Sequence, residues 1–358
     1  MVSPILFAGG EDLDFVPIGS NYGSLITVDT TAGRFRSGYA RCGISLNSGL
    51  IINTIAIRAT FAATTAFWFT GRAWANSANG TWVANQNALV LRDAAGVARL
   101  RIRNTGSASG TAAPVIGPYA IEKINSVGTV TQLGVNTTIG FTATPSIANK
   151  MDVFVNYTVT GTISIYVDGT LYFTYSGDVT TDSTTTLGML DLAPLTYTSS
   201  FLCITWSEVL VATSDTRNLS LVTQTATANG NTHNWTGGTA SDAANTSKSV
   251  GELSPQYSGT AGQIDEYQIT PALPAGTFSV LSVVHKAEAT VGASGPTKFD
   301  FVIRLGAVDY SSADFVPNAA WSTYMNTWDV NPATTAAWAT TDIVAASISF
   351  NFGLKSVA

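Results

Sequence analysis

The chain has 358 residues, enough for about two domains of ordinary size. Charged residues make up only 11% of it, 45% are hydrophobic, and the formal net charge is −6. That balance excludes a disordered chain, which needs much charge and few aromatics. It also argues against nucleic acid as the main partner, because phosphate neutralisation needs a basic face. No apolar run approaches 18 residues, so no membrane-spanning helix is expected.

Taken in order, residues 1–20 read as an arm, with Ile5, Leu6 and Phe7 followed by Glu11-Asp12-Leu13-Asp14 and Pro17. They lack the basic region of an export signal, so synthesis in a cytosol is expected. Residues 21–213 read as one β-sandwich. Its candidate strands are 24–29, 38–46, 51–62, 66–74, 89–92, 98–103, 151–160, 162–167, 170–175 and 201–212. The meander at 151–175 is the clearest. Val153, Val155, Tyr157 and Val159 alternate with Asp152, Phe154, Asn156 and Thr158, and Ile163, Ile165 and Val167 resume the pattern. Asp168-Gly169 supplies two residues that tolerate positive φ, as a type I′ hairpin turn requires.

Residues 214–250 form a Thr/Asn/Gly/Ser-rich connection marked by Asn229-Gly230 and Gly237-Gly238. A second β-unit occupies 251–358, with strands near 264–269, 279–286, 299–305 and 343–352. Helix is expected only in a short turn after Thr213 and at 340–345. The predicted class is all-β, one β-sandwich followed by a second β-unit. Surface polarity must come from Thr, Ser, Asn and Gln, which suits a subunit covered by neighbours and favours a homo-oligomer.

Chemistry-bearing groups are sparse. Cys42 and Cys203 lie in strand-like contexts and read as buried free thiols. With only His233 and His285 beside them, no zinc spacing exists, and neither metal nor cofactor is expected. Glycoside hydrolysis needs two carboxylates facing one bond. Glu11-Asp12-Leu13-Asp14 sits in the arm, and Asp265-Glu266 places its carboxylates on opposite faces of a strand, so both read as solvated acids. Neither histidine has a Gly-x-Ser-x-Gly nucleophile motif near it. A non-enzymatic protein is expected.

Two surface features stand out. In the hairpin 89–103, turned by Asp93-Ala94-Ala95-Gly96, Arg99, Arg101 and Arg103 project from one face while Leu100 and Ile102 point inward. This positive stripe reads either as a solvated edge that discourages edge-to-edge pairing or as a subunit contact with an acidic neighbour. The second feature is the loop 75–81, flanked by Trp74 and Trp82 and containing Asn79-Gly80. Trp74, Asn79 and Trp82 could make a glycan platform, with aromatic faces for the sugar and an amide for its hydroxyls. The Trp68 of Phe67-Trp68-Phe69 is expected in the core.

Several short motifs resemble known families. Phe67-Trp68-Phe69, Ile165-Tyr166-Val167-Asp168-Gly169 and Ile204-Thr205-Trp206-Ser207-Glu208-Val209 follow an order similar to that of laminin-G-like, concanavalin A-like jelly rolls. The segments Ile5-Leu6-Phe7-Ala8-Gly9-Gly10-Glu11-Asp12 and Ala32-Gly33-Arg34-Phe35-Arg36 look like the opening of tailed-bacteriophage structural proteins carrying such a domain. Asp215-Thr216-Arg217, 231–235 and 328–338 echo their later part. This resemblance implies a virion protein, assembled in the host cytoplasm beside other virion proteins, whose sandwich packs or binds a host surface glycan. The calcium-binding acids of many lectins of that fold are not recognisable here.

Overall fold

The computed structural model describes residues 4–8, 16–18, 26–29, 40–43, 55–76, 87–105, 119–136, 149–195, 203–219, 226–237, 256–269, 278–320, 322–344 and 350–358. The protein is nearly all β, and it divides into two compact units, 2–221 and 222–358.

The first unit opens with β1 (Pro4–Ala8), β2 (Val16–Ile18), β3 (Ile26–Asp29), β4 (Ala40–Gly43) and β5 (Ile55–Thr64). Next come β6 (Ala66–Asn76), β7 (Asn87–Arg92), β8 (Ala98–Asn104), β9 (Tyr119–Ile124) and β10 (Val130–Asn136). It closes with β11 (Asn149–Asn156), β12 (Gly161–Val167), β13 (Thr170–Gly177), β14 (Leu187–Leu195) and β15 (Cys203–Ala212). These strands form two antiparallel sheets of jelly-roll type. One is eight-stranded, ordered β13-β12-β11-β6-β15-β4-β3 with β1 also on β15; the other is seven-stranded, ordered β10-β9-β8-β7-β14-β5-β2.

Alternation decides which side chains lie between the sheets. Phe67 and Phe69 of β6, Val153 and Val155 of β11, and Ile163 and Ile165 of β12 are buried from one side. Leu89 and Leu91 of β7, Leu100 and Ile102 of β8, Ile121 of β9, and Leu190 and Leu192 of β14 meet them from the other. The expected β12–β13 hairpin turn is present, with φ of 47° at Asp168 and 80° at Gly169. Trp68 is not in the core. Strict alternation through Phe67-Trp68-Phe69 sends its ring to the outer face, where it is half-buried.

Strands from the N-terminal arm pair into the sheets of the first unit. β1 completes the ladder of β15 beyond the reach of the four-residue β4, pairing Leu6 with Val211 and Ala8 with Val209. β2 adds an edge to β5, with Pro17 opposite Ile57. Proline is tolerated there because an edge strand need not donate on its outer side. Within 214–250, β16 (Ala226–His233) belongs to the second unit.

That second unit continues with β17 (Thr236–Gly237), β18 (Gln256–Tyr257), β19 (Ile264–Ile269), β20 (Val283–Ala289) and β21 (Lys298–Leu305). Then follow β22 (Val308–Ser311), β23 (Ser322–Trp328), the single described helix α1 (Thr340–Val344) and β24 (Asn351–Val357). Five strands make a sheet ordered β16-β19-β24-β21-β22, while β17–β18 and β20–β23 form two-stranded ribbons. Ile303, Leu305 and Trp338 are buried against Val283, Trp328 and Ile343. The predicted strand at 343–352 is therefore displaced: α1 ends at Val344 and the strand begins at Asn351.

The two faces of β6 should respond differently to truncation. Phe69→Ala, which empties a fully buried site, is expected to cost about 3–5 kcal/mol. Trp68→Ala, on the outer face, should cost about 1 kcal/mol. Urea denaturation of the full chain measures both, and equal losses would place Trp68 in the core.

Candidate functional site

The outer face of the seven-stranded sheet carries a cross-strand row. Register places Arg58 opposite Asp191, Asp191 opposite Val90, Val90 opposite Arg101, and Arg101 opposite Glu122. Each charge in it is answered within the sheet. Asp191 is buried and accepts from Arg58 Nε and Nη2 at 2.6 and 2.9 Å and from Arg92 Nε at 2.6 Å. Glu122, also buried, accepts from Arg101 Nε at 2.5 Å and from Arg103 Nη2 at 2.5 Å. Arg99 is 5% exposed and donates to Asp93 at 2.8 Å and to Asp182.

Leu100 and Ile102 of β8 are buried in the core as predicted, but a register shift between Leu91 and Arg92 breaks the alternation at Arg99, which reaches Thr181 beside buried Tyr157. The arginines of the positive stripe are answered inside the unit, and β8 is an inner strand between β9 and β7. Glu122 of the adjacent β9 answers Arg101 and Arg103, while Asp93 of the turn and Asp182 of a loop answer Arg99. Burial pushes Glu122 up, but Arg103 and Arg101 outweigh it and hold the carboxyl below its ordinary range. Asp93 behaves alike: burial raises it, and the Val97 amide with Arg99 lowers it further. Asp93 also accepts from the Ala95 and Val97 amides, which closes the turn where Gly96 has a φ of 82°.

The outer face of the eight-stranded sheet is different. Trp68 lies beside Phe154 with ring centroids 5.1 Å apart, and beside Tyr166 at 6.0 Å. All three rings are half-buried. Arg217 places its guanidinium carbon 4.6 Å from the Tyr166 centroid and 5.3 Å from that of Trp68. Asp215 holds that guanidinium through Nε at 2.9 Å and Nη2 at 2.6 Å. The segment carrying them is anchored below. Thr216 is fully buried, its hydroxyl donates to Asp152 at 2.9 Å, and Lys150 Nζ donates to the Thr216 and Arg217 carbonyls at 2.7 Å each.

Of the predicted glycan-platform residues, Trp74 lies in β6 opposite Thr205, whereas Asn79 and Trp82 fall outside the described residues. Of the aromatic cluster that the structure does assemble, Phe154 and Tyr166 face outward by the alternation of the meander, and Trp68 by that of Phe67-Trp68-Phe69 in β6. All three occupy positions between inward-facing neighbours. Cys42 and Cys203 lie in the adjacent strands β4 and β15.

In the second unit Asp265 and Glu266 do occupy opposite faces of β19, but they are not solvated. Both are at most 1% exposed, and β19 lies between β16 and β24. Asp265 accepts from the Tyr267 hydroxyl, and its Oδ1 lies 2.5 Å from His233 Nδ1. Burial keeps its pKa raised despite those partners. Glu266 accepts from the Thr232 amide at 2.9 Å and stands 3.7 Å from Arg304 Nη1, which pairs with Asp309 at 2.5 Å. Burial, followed by the Asp309 carboxyl, raises Glu266. Asp300 is raised by burial and by Asp314. Among the described residues, no three of His, Cys, Asp and Glu are grouped so as to hold a metal ion.

No protein-family model matches the chain, and no curated protein matches it. It is similar in structure to an endo-β-1,4-glucuronan lyase from the fungus Trichoderma reesei, with a TM-score of 0.44 and 12% identity over 59% of this chain and 96% of that one. A carbohydrate esterase from the Shiga toxin-encoding bacteriophage phi24B aligns with a TM-score of 0.38 and 11% identity, over 60% of this chain and 100% of the esterase. The botulinum neurotoxin serotype D/C binding domain aligns over 99% of both chains, with a TM-score of 0.37 and 6% identity.

His285 gives a direct pH readout. Its ring is buried 4.6 Å from Phe301 and 5.0 Å from Phe352, and burial lowers its pKa from 6.5 to about 3. An unfolded chain takes up this proton near pH 6.5 and the folded one does not. The stability that neutral His285 contributes is thus complete above 6.5 and is lost as pH falls toward about 3. Nitrogen-15 shifts of the folded chain should show His285 still neutral at pH 5. An imidazolium there would contradict its burial.

Proposed function

We propose that the chain is a non-enzymatic structural subunit of a tailed-phage virion, a head or tail component that acts by packing against copies of itself and other virion proteins. The observation that carries this reading is the internal use of charge. On the outer face of the seven-stranded sheet, Arg58, Arg92, Arg101 and Arg103 are answered by Asp191 and Glu122, and at the end of the sheet Arg99 is answered by Asp93 and Asp182. Each of these cations meets a carboxylate of the same unit. A neighbour can approach without leaving a charge buried and unpaired.

Exposed aliphatic side chains support the same reading. Val127, Val130 and Val135 on the β9–β10 hairpin, with Val159 and Leu171 elsewhere in the unit, stand in solvent. Edge strands facing water are commonly protected by Lys, Glu or Pro, and β10, with the sequence Val-Thr-Gln-Leu-Gly-Val-Asn, carries none of them. The resemblance of the N-terminal segments and of 328–338 to tailed-phage structural proteins supplies the setting, a particle assembled in the host cytoplasm.

Sedimentation of the purified full chain from about 1 to 50 µM tests the packing reading. A closed oligomer of fixed stoichiometry is expected, as symmetric self-association produces. A chain that stays monomeric across the range, or one that cleaves a polysaccharide, contradicts it.

A further inference from the structure

The segment that follows β15 lies on the outer face of the eight-stranded sheet, and it is held there more firmly than a connection requires. We propose that residues 213–219 are a clamp that pins the chain as it leaves the first unit, so that the tether to the second unit starts after Leu219 and not at the end of β15. The boundary between the two units falls just beyond, between Leu221 and Val222. Chain that joins two domains ordinarily runs exposed and makes few contacts. This segment does the opposite.

Several kinds of contact hold it. Arg217 lays its guanidinium over the Tyr166 and Trp68 rings, its carbon 4.6 and 5.3 Å from their centroids, in a cation–π arrangement. Asp215 fixes that guanidinium through Nε and Nη2 and also accepts from the Arg217 amide at 2.9 Å, which tightens the chain locally. The Leu219 amide donates to the Thr216 carbonyl at 2.9 Å, and the Leu219 side chain packs on Leu210 and Ala212. Thr216 between them is fully buried and donates its hydroxyl to Asp152 at 2.9 Å.

The sheet commits two ionisable residues to this hold. Asp152 is 0% exposed, between the core residues Met151 and Val153, and its described side-chain partners are Thr216 and, at 3.3 Å, Lys150. Lys150 Nζ donates in turn to the Thr216 and Arg217 carbonyls at 2.7 Å each. A buried carboxylate is costly unless it is paired and hydrogen-bonded. The core gives no reason for an acid at position 152, and the segment above it does. Trp68 and Tyr166 face outward for the same reason, as the seat of Arg217. Released, residues 213–219 would add up to about 25 Å of reach, at about 3.5 Å per extended residue. The clamp therefore sets the slack of the second unit, in a monomer and an oligomer alike.

Trypsin reads the clamp directly, because Arg217–Asn218 is a bond it cuts and cleavage follows the fraction of chain that is locally open. Mass spectrometry of the fragments gives the rate at that bond alone. In the full chain it should be cut at least 100-fold more slowly than in a free peptide of residues 213–222. Thr216→Val, which keeps the shape of the side chain and removes the hydroxyl, should speed that cleavage about tenfold without speeding cleavage elsewhere. Trp68→Ala should do the same, and Val159→Ala should not. Arg217→Lys, which keeps a trypsin site on an exposed side chain, serves if another variant loses its circular dichroism, and the same acceleration is expected of it. Cleavage of the native chain as fast as the peptide, or no acceleration in the folded variants, would overturn the proposal. So would protection that dilution of the native chain removes, which would assign the covering to a second copy.

Discussion

Everything in the first unit depends on period-two alternation with one side of each sheet committed to a shared core. The inward set is aromatic and aliphatic, with the hydroxyls of Tyr119, Tyr157 and Tyr172 as its few side-chain oxygens. Hydrophobic burial of that set stabilises the unit, at about 25 cal/mol per Å² of apolar surface removed from water. A one-residue slip of any central strand would exchange the faces and bury an arginine or an acid in place of a leucine. The outward residues are fixed by the same rule. Asp191 lies between inward Leu190 and Leu192, Arg101 between Leu100 and Ile102, and Trp68 between Phe67 and Phe69.

Once they face outward on adjacent strands, charged side chains pair across the ladder instead of along their own strand. Arg101 and Arg103 of β8 therefore answer Glu122 of β9, and Arg58 of β5 and Arg92 of β7 converge on Asp191 of β14 between them. Arginine suits this geometry because its planar fork reaches carboxylates from two directions. The result is a sheet whose outer surface is chemically quiet despite its ionic residues. On the opposite sheet the corresponding surface is aromatic, and the Arg217–Asp215 pair is tied down there through Thr216, Asp152 and Lys150.

How much of this was legible depended on whether a signal was local. The meander at 151–175 and the Asp168-Gly169 turn are written in consecutive residues. The Asp93-x-x-Gly96 turn was readable for the same reason. Its counterpart Asn125-x-x-Gly128 uses the same device, with the Asn125 side chain accepting from the Val127 and Thr129 amides and Gly128 at a φ of 85°. The hairpin it closes was nonetheless passed over, because Glu122 and Lys123 interrupt the apolar pattern of β9. β14 was hidden similarly by Asp191 and Pro194. Partners distant in sequence could not be read at all: Glu122 for Arg103, Asp191 for Arg58, or the strands β16 and β24 on either side of Asp265 and Glu266. Trp68 was misplaced because the bulk of its ring outweighed the alternation that sends it outward.

The two units also hold their ionisable groups in opposite ways. In the first, arginines keep Glu122 and Asp93 ionised to low pH, so this contribution is complete above the ordinary carboxylate range and fades as pH falls through the lowered values. In the second, burial raises Asp265, Glu266 and Asp300, and the folded form takes up protons ahead of the unfolded chain. The internal answering of charge in the first unit is tested most directly by a double-mutant cycle on Arg92→Met and Asp191→Asn, read by urea denaturation of the full chain. A coupling of about 1–3 kcal/mol is expected for groups that meet in one buried network. Strictly additive effects would mean that these charges stand free, and the quiet outer face would be refuted.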